Sequence, residues 1–237
     1  MRPLLASTLI AALIVSGHSA WAQNAKKPNN TGTMTSPDGK FYVGAGAGWV
    51  IPEDTNFKAT SSGGTTYNAA GKLQFQDGYS LSAMAGYKVN DYLRAEAQVD
   101  YTRFEYDSVS MNGSITSGGT TYNVNGSASL DGTVTSALGM VNGVVTPLGK
   151  ARVSPLLGGG VGFAATEEKI TAIGGQSTNI SGSHTDLALS GMLGVEAMVS
   201  DNASIDLRYG YMWVNSGNDV FDDFTAHNIS ANAAFHF

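Results

Sequence analysis

The chain has 237 residues, a formal net charge of −6 and no cysteine. The last fact excludes disulfides and thiolate metal sites, and an acidic chain without a cluster of Lys and Arg is not built to neutralise phosphates, so nucleic acid is no partner. Only 14% of the residues are charged, against about 25% in soluble domains, a deficit expected where much of the outer surface faces lipid.

At the amino end, Arg2 precedes an apolar run over 4–15 broken only by Ser7 and Thr8, and Ala20-Trp21-Ala22 follows. This is the pattern of a secretory signal peptide, residues 1–22, cut between Ala22 and Gln23. The run is too short for a membrane helix, which needs about 20 apolar residues. Residues 23–39 are polar, carry Pro28 and Pro37 and show no periodicity, which predicts a flexible periplasmic lead-in.

From Phe41 the chain alternates with period two, and eight strands are expected. The first sets Phe41, Val43, Ala45, Ala47, Trp49 and Ile51 against Tyr42, Gly44, Gly46 and Gly48. The second turns Tyr79, Leu81, Ala83, Ala85, Tyr87 and Val89 to its apolar face, and the third turns Leu93, Ala95, Ala97, Val99 and Tyr101. The fourth, 133–145, is apolar and Gly-rich on both faces, so its facing stays open. Val153, Leu157, Val161 and Phe163 mark the fifth, Leu187, Leu189, Leu193 and Val195 the sixth, and Ile205, Leu207, Tyr209, Tyr211 and Trp213 the seventh. The eighth ends the chain, with Ile229, Ala231, Ala233, Phe235 and Phe237 on one side. No stretch carries the 3.6-residue period of an amphipathic helix.

The connections alternate in length. Those near 90–91, 146–150 and 200–202 are tight, whereas 52–77, 106–132, 166–185 and 215–223 are long and polar. Short periplasmic turns and long outer loops are the pattern of transmembrane barrels. Aromatic residues near strand ends on the apolar face, Trp49, Tyr79, Tyr87, Tyr101, Tyr211 and Trp213, suit an interfacial girdle. A soluble barrel would instead point its apolar face inward and its charges out.

The opening Phe41-Tyr42-Val43-Gly44-Ala45-Gly46-Ala47-Gly48 resembles the first strand of the small outer-membrane β-barrel domain family, which includes opacity-type and OmpA-like barrels. Leu93-Arg94-Ala95-Glu96-Ala97-Gln98, the 155–162 stretch and Leu207-Arg208-Tyr209-Gly210-Tyr211 resemble it too. The resemblance covers 40–237. It implies an all-β, eight-stranded antiparallel transmembrane β-barrel embedded among outer-membrane lipid and lipopolysaccharide. It also implies that periplasmic chaperones and the barrel-assembly machinery handle the chain, with Phe235 and Phe237 in the terminal strand as the assembly signal. It specifies function only weakly.

On this facing Lys88, Arg94, Glu96, Asp100, Arg152, Glu196, Asp206 and Arg208 project into the barrel. Four bases and four acids suggest a mutually compensated plug, since an unpaired buried charge costs several kcal/mol; the alternative is a selectivity lining. A lipid-cleaving barrel would need His and Ser together on the lipid side. The nearest approach, His227 and Ser230, falls on opposite strand faces, so no catalytic residue is expected. No two His have metal-ligand spacing, and no cofactor motif is present. The Gly-rich runs 44–48 and 158–162 precede no helix and so are not nucleotide loops; they make room for the bulky Arg and Met side chains opposite.

Ser62-Gly63-Gly64-Thr65-Thr66-Tyr67-Asn68 recurs verbatim over 117–123. If the hairpin centred near residue 91 continues upward, residue 65 faces residue 117, and 52–77 and 106–132 form a raised sheet whose edge could take an extracellular partner by strand addition. Alternatively these polar segments repeat without pairing. The sequence thus points first to a non-enzymatic structural or surface-interaction protein, then to a narrow channel, and least to a lipid-modifying enzyme.

Overall fold

The computed structural model describes residues 40–61, 65–117, 120–149, 151–215 and 222–237. The signal peptide, its cleavage point at Ala22 and Gln23, and the 23–39 lead-in lie outside these residues. The described chain is built of strands: β1 (Phe41–Pro52), β2 (Thr55–Ser61), β3 (Thr65–Lys88), β4 (Leu93–Ser117), β5 (Thr120–Val145), β6 (Val153–Ile173), β7 (Gln176–Ser200), β8 (Ala203–Val214) and β9 (Phe224–His236). All neighbours are antiparallel, and β1 pairs with both β3 and β9, which closes a ring of eight. β2 resumes the line of β1 after Glu53 and Asp54, pairing with the upper part of β3 without adding to the wall.

The ring is sheared. Ile51 pairs with His227, and the circuit through Tyr211, Gly191, Gly159, Gly143, Ala95 and Tyr87 returns to β1 at Phe41, ten residues away. Closure with such a displacement requires strongly tilted strands and leaves a lumen that side chains fill. Every residue on that circuit points outward, as period two demands.

Burial is inverted relative to a soluble protein. Trp49, Leu81, Val99, Val141, Leu157, Phe163, Leu193, Leu207 and Ile229 are all exposed, whereas Arg94, Glu96, Asp206 and Arg208 are buried. A contiguous apolar belt on this scale marks a lipid-facing surface. The belt settles the facing of β5: Val134, Ser136, Leu138, Met140, Asn142 and Val144 point inward, and Val141 and Val145 face lipid. At its upper edge, Trp49 Nε1 donates to Asp77 at 3.1 Å and Trp213 Nε1 to Asp223 at 3.1 Å. Each ring stays in lipid while its N–H bonds at the interface.

The tight connections fall at one end. Asn90 Oδ1 accepts from the backbone of Tyr92 and Leu93, both at 2.8 Å, the Asx geometry that favours Asn in a turn. At the same end Phe41 and Phe237 exchange backbone hydrogen bonds of 2.8 and 3.1 Å, and their rings stack 6.3 Å apart. At the other end the long connections are themselves mostly strand. A membrane-spanning strand needs about 9–11 residues, yet β3, β4, β5, β6 and β7 have 24, 25, 26, 21 and 25. They rise well above the lipid, while β1, β8 and β9 stop at 12, 12 and 13. The β6–β7 rise turns at Gly174-Gly175, both at positive φ (58° and 77°), which suits the two-residue hairpin turns.

Candidate functional site: the lumen and the raised sheet

Arg208 is the hub of the lumen. Its Nη1 and Nη2 donate to the two oxygens of Glu96 at 2.7 and 3.2 Å, and its Nε and Nη2 donate to those of Asp206 at 2.8 and 3.1 Å. Sulfur atoms of Met84 and Met192 flank it at 3.6 and 3.8 Å. Tyr42 donates to Glu96 at 2.8 Å and Asn232 to Asp206 at 2.7 Å. Arg94 pairs with Glu196 at 2.8 Å, its guanidinium 5.4 Å from the centre of the Tyr42 ring. One layer up, Gln98 Nε2 holds both oxygens of Asp100 at 2.7 and 2.9 Å, and Asn142 donates to Gln98 at 3.1 Å. Charge-assisted, bidentate bonds of this kind are the strong ones, and together these side chains cross the whole bore.

The predicted interior charges thus divide. Arg94, Glu96, Glu196, Asp206 and Arg208 form two linked ion-pair groups. Asp100 lies in the lumen but bonds an amide, and Lys88 is half-buried at the turn end, where its charge bears on His236. Arg152 is a correction: it is exposed. It has inward parity, but it precedes the first residue of β6, so no strand carries it into the bore. The four-against-four balance is therefore not the arrangement found.

The glycine rows belong to the same construction. A Cβ on Gly46 would overlap the Asn232 side chain, one on Gly160 the Asn142 side chain, and one on Gly86 the Tyr42 ring. β6 contributes no polar lumen side chain to the bonds above; its Gly158, Gly160 and Gly162 make space for Met192, Asn142 and Met140. The expectation that bulky neighbours fill these gaps is met by Tyr, Asn and Met more than by Arg.

Two residue groups were not foreseen. Ser204 Oγ and His236 Nε2 lie 2.9 Å apart, but each is only 1% exposed, so no substrate reaches them. On the lipid side at the upper rim, His227 lies between Tyr209 (OH···Nδ1 2.6 Å) and Glu53 (Nε2···Oε1 3.0 Å). Thr225 and His227, both bonded to Glu53, hold its carboxyl below the usual range. Ser230 takes no part; it bonds Asn232 inside the lumen. Parity between β8, β9 and the end of β1 could have found this trio once the register was known.

Above the membrane the repeat falls into place. Thr65, Thr66, Tyr67 and Asn68 pair with Ser117, Thr116, Ile115 and Ser114, and these pair in turn with Thr120, Thr121, Tyr122 and Asn123. The two Thr-Thr-Tyr-Asn copies therefore stand level on either side of β4. β5 extends beyond the end of β6 over 120–129, so that edge has no partner strand among the described residues.

A closed eight-stranded ring with a lipid-facing belt, a polar bore and turns of unequal length defines a transmembrane β-barrel. Its short-turn side is periplasmic and its raised sheet extracellular, as in bacterial outer membranes. The chain belongs to the outer membrane protein beta-barrel domain family, whose model matches residues 8–237, and it resides in the outer membrane. It is 26% identical over 185 residues to a Rickettsia prowazekii protein provisionally named an adhesin, covering 76% of this chain and 73% of that one. Among solved structures, neisserial surface protein A aligns at a TM-score of 0.46 with 22% identity, over 83% of this chain and 97% of that one. The outer membrane protein OprG of Pseudomonas aeruginosa aligns at 0.49 with 16% identity, over 86% and 99%.

Proposed function

We propose that this protein is a non-enzymatic surface-interaction protein whose barrel is an anchor and whose raised β2–β7 sheet is the working part. The observation that carries this reading is the Arg208–Glu96–Asp206 layer. Solute passing through the bore would have to break buried, doubly hydrogen-bonded ion pairs, so the bore is poorly suited to conduction. The sheet above offers the 120–129 edge, with Tyr122 60% exposed, and strand addition along such an edge supplies main-chain hydrogen bonds. The provisional name of the Rickettsia relative agrees with this class. A channel would need the ion pairs to part. A lipid-modifying enzyme of the His–Ser kind would need Ser230 beside His227, whereas Ser230 bonds Asn232 in the lumen.

The test is to replace 62–68 and 112–126 with short turns. The variant is expected to keep its heat-dependent gel shift and to lose adhesion of displaying cells to host cells or matrix proteins. Adhesion unchanged in the folded variant would sink the reading.

A further inference from the structure

The lumen changes character above the ion-pair layers. Above a small cavity of about 90 Å³ bordered by Gln98, Asp100, Asn142 and Asn228, the bore widens into a cavity of about 560 Å³. Four rings pack together at its wall. Phe104 and Phe224 stack 5.5 Å apart, and Phe75 meets Phe104, Tyr106 and Phe224 at 5.6, 5.3 and 5.9 Å. Leu130, Val134 and Ile170 continue the lining. Outer-membrane barrels ordinarily have polar interiors, so an apolar chamber at the mouth calls for a physical reason.

The backbone shows that the chamber is built. On β3, even-numbered residues such as Ser80 and Met84 face inward below Gly78. The register shift between Gln76 and Tyr79 reverses the parity, so that Phe75 and Leu73 line the chamber. On β4 a shift between Glu105 and Ser108 passes the lining from Phe104 and Tyr106 to Val109 and Met111. On β6 a shift after Ile170 does the same for Ile173. Glycine permits two of these bulges: a Cβ on Gly78 would overlap the Arg103 carbonyl, and one on Gly132 the Lys169 carbonyl. Bulges interrupt a ladder and are used to re-aim side chains beside functional sites. Here, on three strands at one level, they aim apolar groups into the chamber.

The polar groups on the same wall favour one sign of charge. Glu168, Asp186 and Asp222 line the chamber with His184, and no Lys or Arg lines it among the described residues. His184 lies 3.3 Å from Asp186, and Tyr106 lines the same wall as Glu168. The volume is within the range of small-molecule pockets, roughly 300–1,000 Å³.

We propose that the mouth of the barrel is a binding site for one small, largely apolar molecule carrying a cationic head. The aromatic wall takes the body and the Glu168–Asp186 side takes the head. The chamber shares its upper wall, Phe57 and Met111, with the base of the raised sheet, but the 120–129 edge lies outside it, so its failure and that of the surface-interaction reading are distinguishable.

The test uses the folded protein in phosphatidylcholine nanodiscs with methyl-labelled Leu, Val and Ile, titrated with pyrenylmethylamine and, separately, pyrenecarboxylate. Saturable shifts are expected at Leu130, Val134 and Ile170, with the amine binding at least about tenfold tighter because the carboxylate meets like charge. Glu168→Gln with Asp186→Asn should narrow that preference. Val134→Trp, its folding checked by gel shift, should weaken the amine about tenfold by filling the chamber. Shifts confined to lipid-facing methyls such as those of Leu81 and Leu157 would overturn the proposal, as would equal affinities for amine and carboxylate. The methyl map of the unsubstituted protein decides the location without any variant.

Discussion

Arg208 on β8 grips both oxygens of Glu96 on β4, at 2.7 and 3.2 Å, and those two strands stand four places apart in a ring of eight. The pair is therefore a strut across the full diameter of the bore. Removing Arg208 leaves Glu96 and Asp206 buried without their shared cation. Arg208→Ala is expected to cost about 3–5 kcal/mol, read from urea unfolding in detergent micelles. Replacing the whole group, Arg208→Met with Glu96→Leu and Asp206→Leu, should be far milder, since no buried charge is then left without its partner. If the single and triple replacements cost the same, the strut is not coupled.

The same strut governs conduction. The refolded barrel is expected to be silent in a planar bilayer across a range of voltages. Glu96→Ala with Arg208→Ala removes the cross-bore strut and should produce discrete current steps. Steps from the unsubstituted protein would make Arg94, Glu96 and Glu196 the lining of a gate and would remove the anchor reading.

Glycine positions on neighbouring strands should behave oppositely. A Cβ on Gly160 of β6 would overlap Asn142, whereas one on its outward neighbour Gly143 of β5 meets nothing within 4 Å. Gly160→Ala is expected to destabilise by about 1–3 kcal/mol through overpacking. Gly143→Ala should be neutral or stabilising by about 0.4–1 kcal/mol, because it restricts the unfolded chain and adds surface to lipid. Unfolding midpoints of the two variants, measured side by side, check the contrast.

Facing was legible in the sequence wherever one side of a strand meets lipid, because Leu93 to Tyr101 or Ile205 to Trp213 can then alternate in only one way. Partners were not legible. Whether Arg94 meets Glu196 or Asp206 depends on the ten-residue shear of the circuit, a global property that no single strand encodes. Arg152 had the right parity but the wrong height. The strands above the membrane were read as loops for a related reason: Thr120–Asn123 is exposed on both faces, and polar residues on both faces leave no hydrophobic alternation although the ladder continues. The aromatic mouth was hidden for two reasons: the bulge at Gly78 reverses the parity that would place Phe75, and Phe104, Tyr106 and Phe224 keep inward parity but lie beyond the strands as read from the sequence. Only the verbatim repeat, with its implied pairing of residues 65 and 117, pointed into this region.

The short strand β2 is tethered by an ion pair between Lys72 and Asp54 at 2.7 Å, and the hydrogen bond from Lys72 holds the Asp54 carboxyl below its ordinary value. A depressed folded-state value means that the contribution is present above the unfolded carboxylate pKa, about 3.9, and is lost as pH falls through the folded value. Lys72 is nearly half exposed, so solvent screening keeps the effect at the low end of roughly 0–1 kcal/mol. The β2 amides should exchange slightly faster at about pH 3 than at neutrality after correction for intrinsic rates, and Lys72→Met should produce the same increase at neutral pH.

The carboxy-terminal residue closes the barrel seam. Phe237 exchanges two backbone hydrogen bonds with Phe41 and stacks on its ring, while His236 beside it is buried against Ser204 and Tyr42. Deleting Phe237 alone removes two exposed-end hydrogen bonds, each worth about 0.5–1.5 kcal/mol net, and leaves the His236 contacts in place. Refolding in detergent should therefore survive with a modestly lowered midpoint. In cells, the proposal that Phe237 belongs to an assembly signal makes a different prediction: the truncated chain should accumulate in the periplasm or be degraded. Equal surface levels of truncated and full-length protein would show that Phe237 acts only as the last stitch of the β1–β9 seam.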